Sequence, residues 1–357
     1  MKRMSQKLSM PDRKRSLNHV SGCLLGGAVG DALGAPVEFM SLKEIQHRFG
    51  PAGISEYAIA YGRKGAITDD TQMTLFTAEG LILSQVRGGD LKAYQVPPFV
   101  YQAYLRWLST QQAVHFEHLV RKYGSCAMVD GLLIANKELY SRRAPGNTCL
   151  SALMSGRMGA VEDPINDSKG CGGVMRVAPV GYFVKPEAVF ETGCEIAAIT
   201  HGHPAGYLAA GCLAQIISLI SYGADLVTAV DKTLEILKNW PFHSECLAAI
   251  TSARLAWKNG PPNSRTVEKL GRGWIAEEAL AIGLYAALAA EGDFNRGVRL
   301  AVNHGGDSDS TGLIAGQILG AMLGAESIPD KYRMGLELFG LIEEVSGDLH
   351  QRMPDRD

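Results

Sequence analysis

Two stretches, SGCLLGGAVGDALG (residues 21–34) and GLIAGQILGAMLG (residues 312–324), decide the fold, because glycine recurs in both at every fourth position. A glycine inside a helix costs about 0.5–1 kcal/mol relative to alanine, so two such glycine ladders need a compensating reason. A four-residue period places the glycines along one stripe, where a second helix can approach closely. We therefore predict two central helices that pack against each other or against a shared neighbour. The ladder residues are Gly22, Gly26, Gly30, Gly34, Gly312, Gly316, Gly320 and Gly324.

The rest of the chain has the pattern of an all-α protein. Apolar residues recur at three- and four-residue spacing, and alternating β-branched runs are few. The clearest helical segments are residues 224–240, 246–258, 275–290, 294–302 and 330–345. We predict a compact multi-helix bundle in which residues 19–357 form a single all-α domain. If the ladders meet, Asp31 and Glu38 come close to Asp307 and Asp309.

The first eighteen residues are basic and contain few apolar side chains. Six of them are Lys or Arg, and only Asp12 is acidic. This composition predicts a flexible basic arm over residues 1–18. The arm is either a tail without function or a segment that docks on an acidic partner.

The overall composition argues against several classes of function. A formal net charge of −2 and a pI near 6.5 give no reason to expect nucleic-acid binding. No run of eighteen apolar residues occurs, and Gln215 and Ser218 interrupt the longest candidate, so we predict no membrane span. Seven scattered cysteines without a C-x-x-C pair fit reduced thiols in the cytoplasm.

Two short acidic runs indicate a metal site. TDDT (residues 68–71) and DSDS (residues 307–310) each combine two carboxylates with two hydroxyls. Carboxylates about 4 Å apart repel by roughly 4 kcal/mol at an effective dielectric constant near 20, so four in one cleft need protons or cations. An all-oxygen donor set favours Mg²⁺ or Mn²⁺ over Zn²⁺. Alternatively, these residues cap the helices that follow, although capping explains only one or two residues per helix.

Two further carboxylates lie at the end of the first ladder. Glu38 follows a small-residue helix that Pro36 ends, and its apolar neighbours could raise its pKa and suit it to acid or base chemistry. It could equally be a surface glutamate beyond a helix end. Asp31 lies between Gly30 and Gly34, and we expect it to order neighbouring backbone groups.

The segment SKGCGGVMR (residues 168–176) is a glycine-rich loop with two cations. Exposed amide groups in such loops bind phosphates, although glycine-rich loops also serve as plain turns. Cys171 is disfavoured as a nucleophile, because no base is identifiable near it in the sequence.

Histidines form a third group of candidates. The segment THGHP (residues 200–204) contains His201 and His203 between two helical patterns, where a capping or ligand-hydroxyl role is favoured over metal binding. His304, just before the second acidic run, is a candidate for orienting the site.

Together these motifs resemble the ADP-ribosylglycohydrolases, the family of the dinitrogenase reductase-activating glycohydrolase. The resemblance spans about residues 20–345, and the two acidic runs in combination make it specific. It implies a compact all-α fold with a binuclear Mg²⁺ or Mn²⁺ centre. Two departures are Cys171, where some members have asparagine, and Ser310, where others have threonine.

The resemblance also implies roles for individual residues. Thr68, Asp69 and Asp70 would bind one metal ion, Asp307 and Ser310 the other, and Asp309 would bridge them. Glu38 resembles a glutamate that contacts metal or substrate. The loop residues and one histidine would bind the substrate. This substrate-binding set is Gly170, Cys171, Gly172, Gly173, Met175 and His203.

These observations predict a cytoplasmic, metal-dependent hydrolase that removes ADP-ribose from a modified protein, with ADP-ribosylated arginine as the first expectation. Glu38, Asp69 and Asp70 are the candidates for proton transfer, because cleavage passes through an oxocarbenium-like state. One alternative is hydrolysis of O-linked ADP-ribose or of a free ADP-ribosyl metabolite. Others are a non-catalytic structural or binding protein, which the complete set of aspartates disfavours, and neutralisation of an ADP-ribosylating toxin or enzyme through the basic arm.

Overall fold

The computed structural model describes residues 15–88, 95–111, 116–124 and 131–353, and within them the protein is overwhelmingly helical. The all-α expectation is confirmed. The only strands in these ranges, β1 (Ile59–Ala60) and β2 (Arg63–Lys64), form one antiparallel hairpin with Ile59 opposite Lys64. The helices are α1 (Leu17–Gly34), α2 (Leu42–Phe49), α3 (Asp69–Gly88), α4 (Pro97–Thr110), α5 (Phe116–Tyr123), α6 (Asn147–Met154), α7 (Ala178–Phe183), α8 (Val189–Ala198), α9 (Pro204–Ser221), α10 (Leu226–Leu237), α11 (Ser244–Lys258), α12 (Ser264–Leu270), α13 (Ala276–Ala289), α14 (Phe294–Val302), α15 (Ser308–Leu323), α16 (Asp330–Arg333) and α17 (Phe339–Gln351).

Helices α1 and α15 contain the two glycine ladders and pack directly against each other, as the first of the two predicted arrangements requires. A Cβ atom on Gly26 would overlap the carbonyl oxygen of Gly316, and a Cβ atom on Gly30 would overlap that of Gly312. The contacts continue to Gly34, which lies against the backbone of Ser308. The helices are therefore antiparallel, and their backbones touch over the length of the ladders.

Both central helices are buried on every side, as expected for helices that are apolar all round. Every residue of α1 from Val20 to Gly34 is buried, as is every residue of α15 from Ser308 to Ala321. Helices α13 and α14 cover α15, while α17 covers α1. Each fully buried Leu, Ile or Val contributes roughly 1.5–3 kcal/mol, so the surrounding apolar side chains offset the cost of the glycines.

The predicted helix over residues 330–345 is wrong, because the structure divides it into α16 and α17. Leu338 adopts a left-handed conformation with φ of 58°, which a continuous helix does not allow. The preceding residue, Glu337, is buried; its backbone N–H donates to the carbonyl of Gly65 (2.9 Å). Its carboxylate accepts from Arg143 at 2.9 and 3.0 Å and from the amide of Ile67 at 3.0 Å. These contacts favour the break, because a continuous helix could not supply them.

The other predicted segments agree more closely with the structure. Segments 246–258, 275–290 and 294–302 match α11, α13 and α14 within two residues, and α10 is shorter at both ends than segment 224–240. Among the described residues, α9 alone is long and apolar enough to cross a membrane. However, 89% of it is buried inside the protein, as in the core helix of a globular fold.

Most of the predicted basic arm, residues 1–14, lies outside the described residues. The remainder is ordered: Arg15 donates to the carbonyl of Tyr182 (3.0 Å) and lies over the ring of Tyr222, and α1 begins at Leu17. Asn18 packs beside Gly324 at the end of the second ladder. A deletion that is meant to test only the arm should therefore stop at residue 14.

Candidate active site

The antiparallel ladders bring the two ends of the chain together at the site. Gly34 contacts the backbone of Ser308, so the chain that leaves α1 passes the first residues of α15. Glu38 follows four residues later, and its carboxylate lies with those of Asp307 and Asp309. One ligand oxygen from each of the three residues lies within 4.8 Å of the others. The predicted proximity of Glu38 to this acidic run is confirmed.

Asp31 caps helix α3 from a distance. Its carboxylate accepts from the backbone N–H of Thr68 (2.9 Å) and of Thr71 (3.2 Å), and also from the Thr71 hydroxyl. The expectation that Asp31 orders backbone groups is confirmed. Because Asp31 and the Thr68 hydroxyl satisfy the first amides of α3, Asp69 and Asp70 are not needed as caps.

The first acidic run meets the second through Ser310. The Ser310 hydroxyl donates to the Asp70 carboxylate at 2.6 Å, across 240 positions of sequence. Asp307 is the N-cap of α15 and accepts from the Ser310 amide at 3.3 Å, so capping accounts for part of the second run. It does not account for Asp69 and Asp70, whose carboxylates turn into the same cleft.

The carboxyls of the site resist ionisation because they are buried together. Burial, with the charge of Asp309 next in size, raises the pKa of Asp31 to about 7. Burial also raises the pKa of Glu38 to about 11, and the neighbouring aspartates add to that effect, led by Asp309 and Asp307. The pKa values of the other site carboxyls are raised for the same first reason. These carboxyls belong to Asp69, Asp70, Asp307 and Asp309.

This donor set fits a hard divalent cation. None of the site carboxylates forms an ion pair with a cationic side chain in the described part of the chain. Oε2 of Glu38 is buried and has no hydrogen-bond partner among the described residues. Buried carboxylates that lack a counter-charge are expensive, and oxygen donors are the ligands that Mg²⁺ and Mn²⁺ prefer.

A cleft of about 220 Å³ opens over the carboxylates. Its walls include most of the predicted site residues. The acidic and hydroxyl members are Glu38, Asp69, Asp70, Asp307, Asp309 and Ser310, and the loop members are Gly170, Cys171, Gly172 and Met175. Thr68 is fully buried and does not line the cleft; its hydroxyl accepts from the amide of Asp70 at 3.2 Å.

Two residues predicted to bind substrate lie elsewhere. Gly173 faces α8, where an added Cβ atom would lie 3.1 Å from the side chain of Ala197. His203 is the N-cap of α9, and its Nδ1 accepts from the amide of Ala205 at 3.1 Å. The capping role expected for this segment was at a helix C-terminus, whereas His203 caps the start of the following helix, and His201 lines the cleft.

A buried relay of hydrogen bonds links His201 to Arg176. Arg176 donates to the Thr200 hydroxyl at 2.7 Å, and that hydroxyl lies 2.8 Å from Nδ1 of His201. Arginine only donates, so the hydroxyl accepts from it and keeps its own proton free to donate to Nδ1. That donation corresponds to the tautomer with a proton on Nε2, which lies beside Gly170 and Gly172. Burial and the charge of Arg176 lower the pKa of His201 to about 3, so the ring stays neutral.

Cys171 occupies the glycine-rich loop at a point of contact with the acidic run. Its thiol donates to Oδ2 of Asp307 at 2.8 Å, and burial with the adjacent carboxylate raises the pKa of the thiol. A raised pKa disfavours the thiolate, in agreement with the expectation that Cys171 is not a nucleophile. The loop is held by the Cys171 amide, which donates to the carbonyl of Trp274 at 3.2 Å.

His304 acts on the second acidic run through a threonine. Its Nε2 lies 2.9 Å from the hydroxyl of Thr311, which also contacts the carbonyl of Asp307 at 2.9 Å. His304 is therefore placed to orient the start of α15, as expected. Burial lowers its pKa to about 4.

Several cleft residues have no role in the expectations from the sequence, namely Asn147, Thr148, Cys149 and Trp274. Asn147 and Thr148 begin α6 directly after a Pro-Gly turn, and that polar helix start is a usable signal. His201, for which the sequence favours a capping or ligand-hydroxyl role, lies in the cleft two positions before His203. Trp274 gave no signal, because no motif surrounds it.

The fold and the cleft define a class of protein, an all-α enzyme whose acidic centre is assembled from both ends of its chain. The chain belongs to the ADP-ribosylglycohydrolase family, whose model matches residues 11–357. It is thus a glycohydrolase of the kind that acts on ADP-ribosylated substrates.

Relatives span almost the whole chain. An uncharacterized protein of Archaeoglobus fulgidus is 28% identical over 92% of this chain and 95% of its own. The ADP-ribosyl-[dinitrogen reductase] glycohydrolase of Rhodospirillum rubrum is 24% identical over 89% and 90% of the two chains. The ADP-ribosylarginine hydrolase Tri1 of Pseudomonas putida is 24% identical over 96% and 81%.

A solved structure agrees in fold. It is described as an ADP-ribosylglycohydrolase-related protein complex, and it matches with a TM-score of 0.62 at 24% identity. The match covers 96% of this chain and 99% of that one. At this identity the likeness supports the fold alone.

Proposed function

We propose that this protein is a Mg²⁺- or Mn²⁺-dependent hydrolase that removes ADP-ribose from modified arginine side chains of proteins. The observation that carries the proposal is the convergence of the acidic runs. The Ser310 hydroxyl donates a hydrogen bond to the Asp70 carboxylate, and the carboxylates of Glu38, Asp307 and Asp309 lie close together. Such a concentration of buried carboxyls stays ionised at neutral pH only with compensating positive charge.

We assign two metal ions to this centre. Thr68, Asp69 and Asp70 would hold one ion, Asp307 and Ser310 the other, and Asp309 would be shared. When bound, the ions bind the ribose hydroxyls and orient water. The contacts of Asp31 and His304 support this role, because each fixes the start of a helix that presents ligands to the cleft.

The remaining wall of the cleft is suited to the rest of ADP-ribose. Gly170 and Gly172 leave space beside His201, where added Cβ atoms would crowd the imidazole ring. The neutral ring offers an Nε2–H donor, which suits a diphosphate oxygen. Glu38, Asp69 and Asp70 stay the candidates that exchange a proton with the water or with the leaving side chain.

One relative supports arginine as the acceptor, and a second supports a protein as the substrate. Their names describe an ADP-ribosylarginine hydrolase and a glycohydrolase of ADP-ribosyl-[dinitrogen reductase], so one names the modified residue and the other a modified protein. We place the activity in the cytoplasm, because the six described cysteines are all free thiols. Cys126 lies outside the described residues.

The test incubates the full chain with a protein that is ADP-ribosylated on arginine and measures released ADP-ribose. We expect no release with EDTA and recovery after addition of excess Mg²⁺ or Mn²⁺. A parallel protein modified on serine separates arginine-linked from O-linked specificity. Absence of release from the arginine-linked substrate with either metal would overturn the proposal.

A further inference from the structure

A second cavity, here called the outer cavity, adjoins the cleft. It has a volume of about 540 Å³, and Glu38 and Trp274 line both spaces. Its other walls come from the turn after α1 and the start of α2, from the loop that follows α12, and from Gly305 and Gly306. The outer cavity therefore begins at the acidic centre and leads away from it.

Two stacked aromatic rings stand at this boundary. The rings of Phe39 and Trp274 have centroids 5.8 Å apart and lie within 18° of parallel. Phe39 is nevertheless 73% exposed and Trp274 39% exposed. The Trp274 loop is held in place, because the amides of Arg272 and Gly273 both donate to Glu278, at 2.8 and 3.2 Å. An ordered, exposed aromatic pair beside an acidic centre is the kind of surface that recognises a ligand.

The charged groups around the outer cavity favour a cation. Glu44 and Glu268 line it together with a single cationic side chain, Arg272. Hydrogen bonds from the Ser41 hydroxyl and amide hold the pKa of Glu44 below its usual range, which keeps it ionised. At the inner end, Glu38 is buried, with an exposed fraction of 7%. Its Oε2 has no partner among the described residues.

We propose that the outer cavity binds a basic side chain of the protein substrate that neighbours the ADP-ribosylated arginine. This inference rests on the proposed function and specifies its substrate. A guanidinium or ammonium group stacks favourably on the faces of tryptophan and phenylalanine, and arginine does so best. Glu268 and Glu44 then supply the opposite charge. The enzyme would prefer modified arginines that lie in basic segments.

The test compares two peptides ADP-ribosylated on one arginine that differ only in the next residue, arginine or glutamate, with free ADP-ribosylarginine as a third substrate. Wild-type enzyme should show a kcat/KM about fivefold to tenfold higher for the basic peptide, mainly through a lower KM. Phe39→Ala and Glu268→Gln should each reduce that ratio by roughly threefold. Glu343→Gln, which removes an exposed glutamate from α17, is the matched control and should keep the wild-type ratio.

The three substrates separate the possible failures. Hydrolysis of free ADP-ribosylarginine with a peptide ratio near one in the wild type would overturn the outer-cavity inference alone. An unchanged ratio in both Phe39→Ala and Glu268→Gln, with melting temperatures equal to that of the wild type, would do the same. No release from any of the three substrates would overturn the proposed function and this inference with it.

Discussion

The Thr200 hydroxyl lies between the Arg176 guanidinium and the neutral imidazole of His201 and contacts both. It accepts from Arg176 and lies within hydrogen-bond distance of Nδ1 of His201, to which it can donate its own proton. Arg176 also lies 4.2 Å from the ring centroid of Tyr104, and no carboxylate pairs with it among the described residues. The relay thus holds a cleft residue in place from a position outside the cleft.

Replacing Thr200 by valine should weaken substrate binding. The valine keeps the shape of threonine but frees the His201 ring to adopt the other tautomer, which would turn a lone pair towards the substrate. We expect KM to rise about tenfold with a smaller change in kcat, as measured by steady-state release of ADP-ribose. Thr200→Ser retains the hydroxyl and should restore KM. A wild-type KM for Thr200→Val would contradict the relay.

Asp309 has the widest electrostatic influence in the site. Its charge raises the pKa values of Asp31, Glu38 and Asp70. Asp309→Asn keeps its size and an acceptor oxygen but removes that charge. We expect at least about 100-fold loss of hydrolysis, together with a higher melting temperature in EDTA because repulsion is relieved.

The matched control for Asp309→Asn is Asp348→Asn, which changes a carboxylate on α17 far along the chain from either acidic run. The control should keep both the wild-type activity and the wild-type melting temperature in EDTA. If Asp309→Asn melted below the wild type in EDTA, electrostatic repulsion would not be what limits the metal-free protein.

At the level of elements, the pair α1 and α15 determines where the site forms. Gly26 lies against Gly316 and Gly30 against Gly312, so a shift of one helix by one or two residues would replace glycine with a larger residue at each contact. A shift by a full turn would bring glycine opposite glycine again, but it moves the helix by about 5.4 Å and would separate Glu38 from the aspartates of α15. The glycines thereby fix the distance between the helices and exclude the smaller shifts of register.

Gly316→Ala should destabilise the protein strongly, because the new Cβ atom would overlap the backbone of Gly26. We expect a loss of roughly 3 kcal/mol in the free energy of unfolding, measured by urea denaturation. Gly347→Ala is the matched control: Gly347 lies inside α17, and a Cβ atom there meets nothing within 4 Å. That change should stabilise by about 0.5–1 kcal/mol. Equal effects of both substitutions would refute the close packing.

The packing of the two ladder helices could be predicted from the sequence. The glycine period is visible within a short segment, and the free-energy cost of helical glycine indicates a closely packed second helix. The break between α16 and α17 could not, since the segment has an apolar spacing typical of a helix. What divides it is the buried Glu337, whose partners Arg143 and Ile67 lie far away in the sequence. A local pattern does not include such long-range ion pairs.

At the scale of the whole molecule, a large apolar core holds a cluster of acids that repel one another. The raised pKa values mean that ionising the site carboxyls costs folding free energy, so the metal-free protein should lose stability as the pH rises above their unfolded values near 4. Above about pH 7 the buried histidines do not obscure this effect, because an unfolded histidine is already neutral there.

We therefore expect the melting temperature in EDTA to fall between about pH 7 and pH 9, and excess Mg²⁺ or Mn²⁺ to raise it at both values. At a metal concentration about 100 times the dissociation constant, the gain is about 2.7 kcal/mol. Differential scanning fluorimetry measures both effects, and Ca²⁺ tests the selectivity for smaller cations. If added metal left the melting temperature unchanged at both pH values, that result would contradict a metal centre.

The site as a whole was only partly predictable. Residue type and spacing identified the acidic runs and the glycine-rich loop, because closely spaced acidic residues and closely spaced glycines are both unusual in a sequence. His201 and Asn147 carry weaker signals, a histidine pair and a polar helix start, whereas for Trp274 only the fold shows that it lines the cleft. The outer cavity depends on three separate segments, so no single stretch of sequence could indicate it.

The contact between Gly34 and Ser308 also has a consequence for biosynthesis. Helix α1 leaves the ribosome first, and the helix that pairs with it is made almost three hundred residues later. Until then, the glycine stripe of α1 has no partner, and the Ser310 hydroxyl that binds Asp70 is absent. Any nascent or truncated chain that ends before α15 therefore lacks half of the acidic centre.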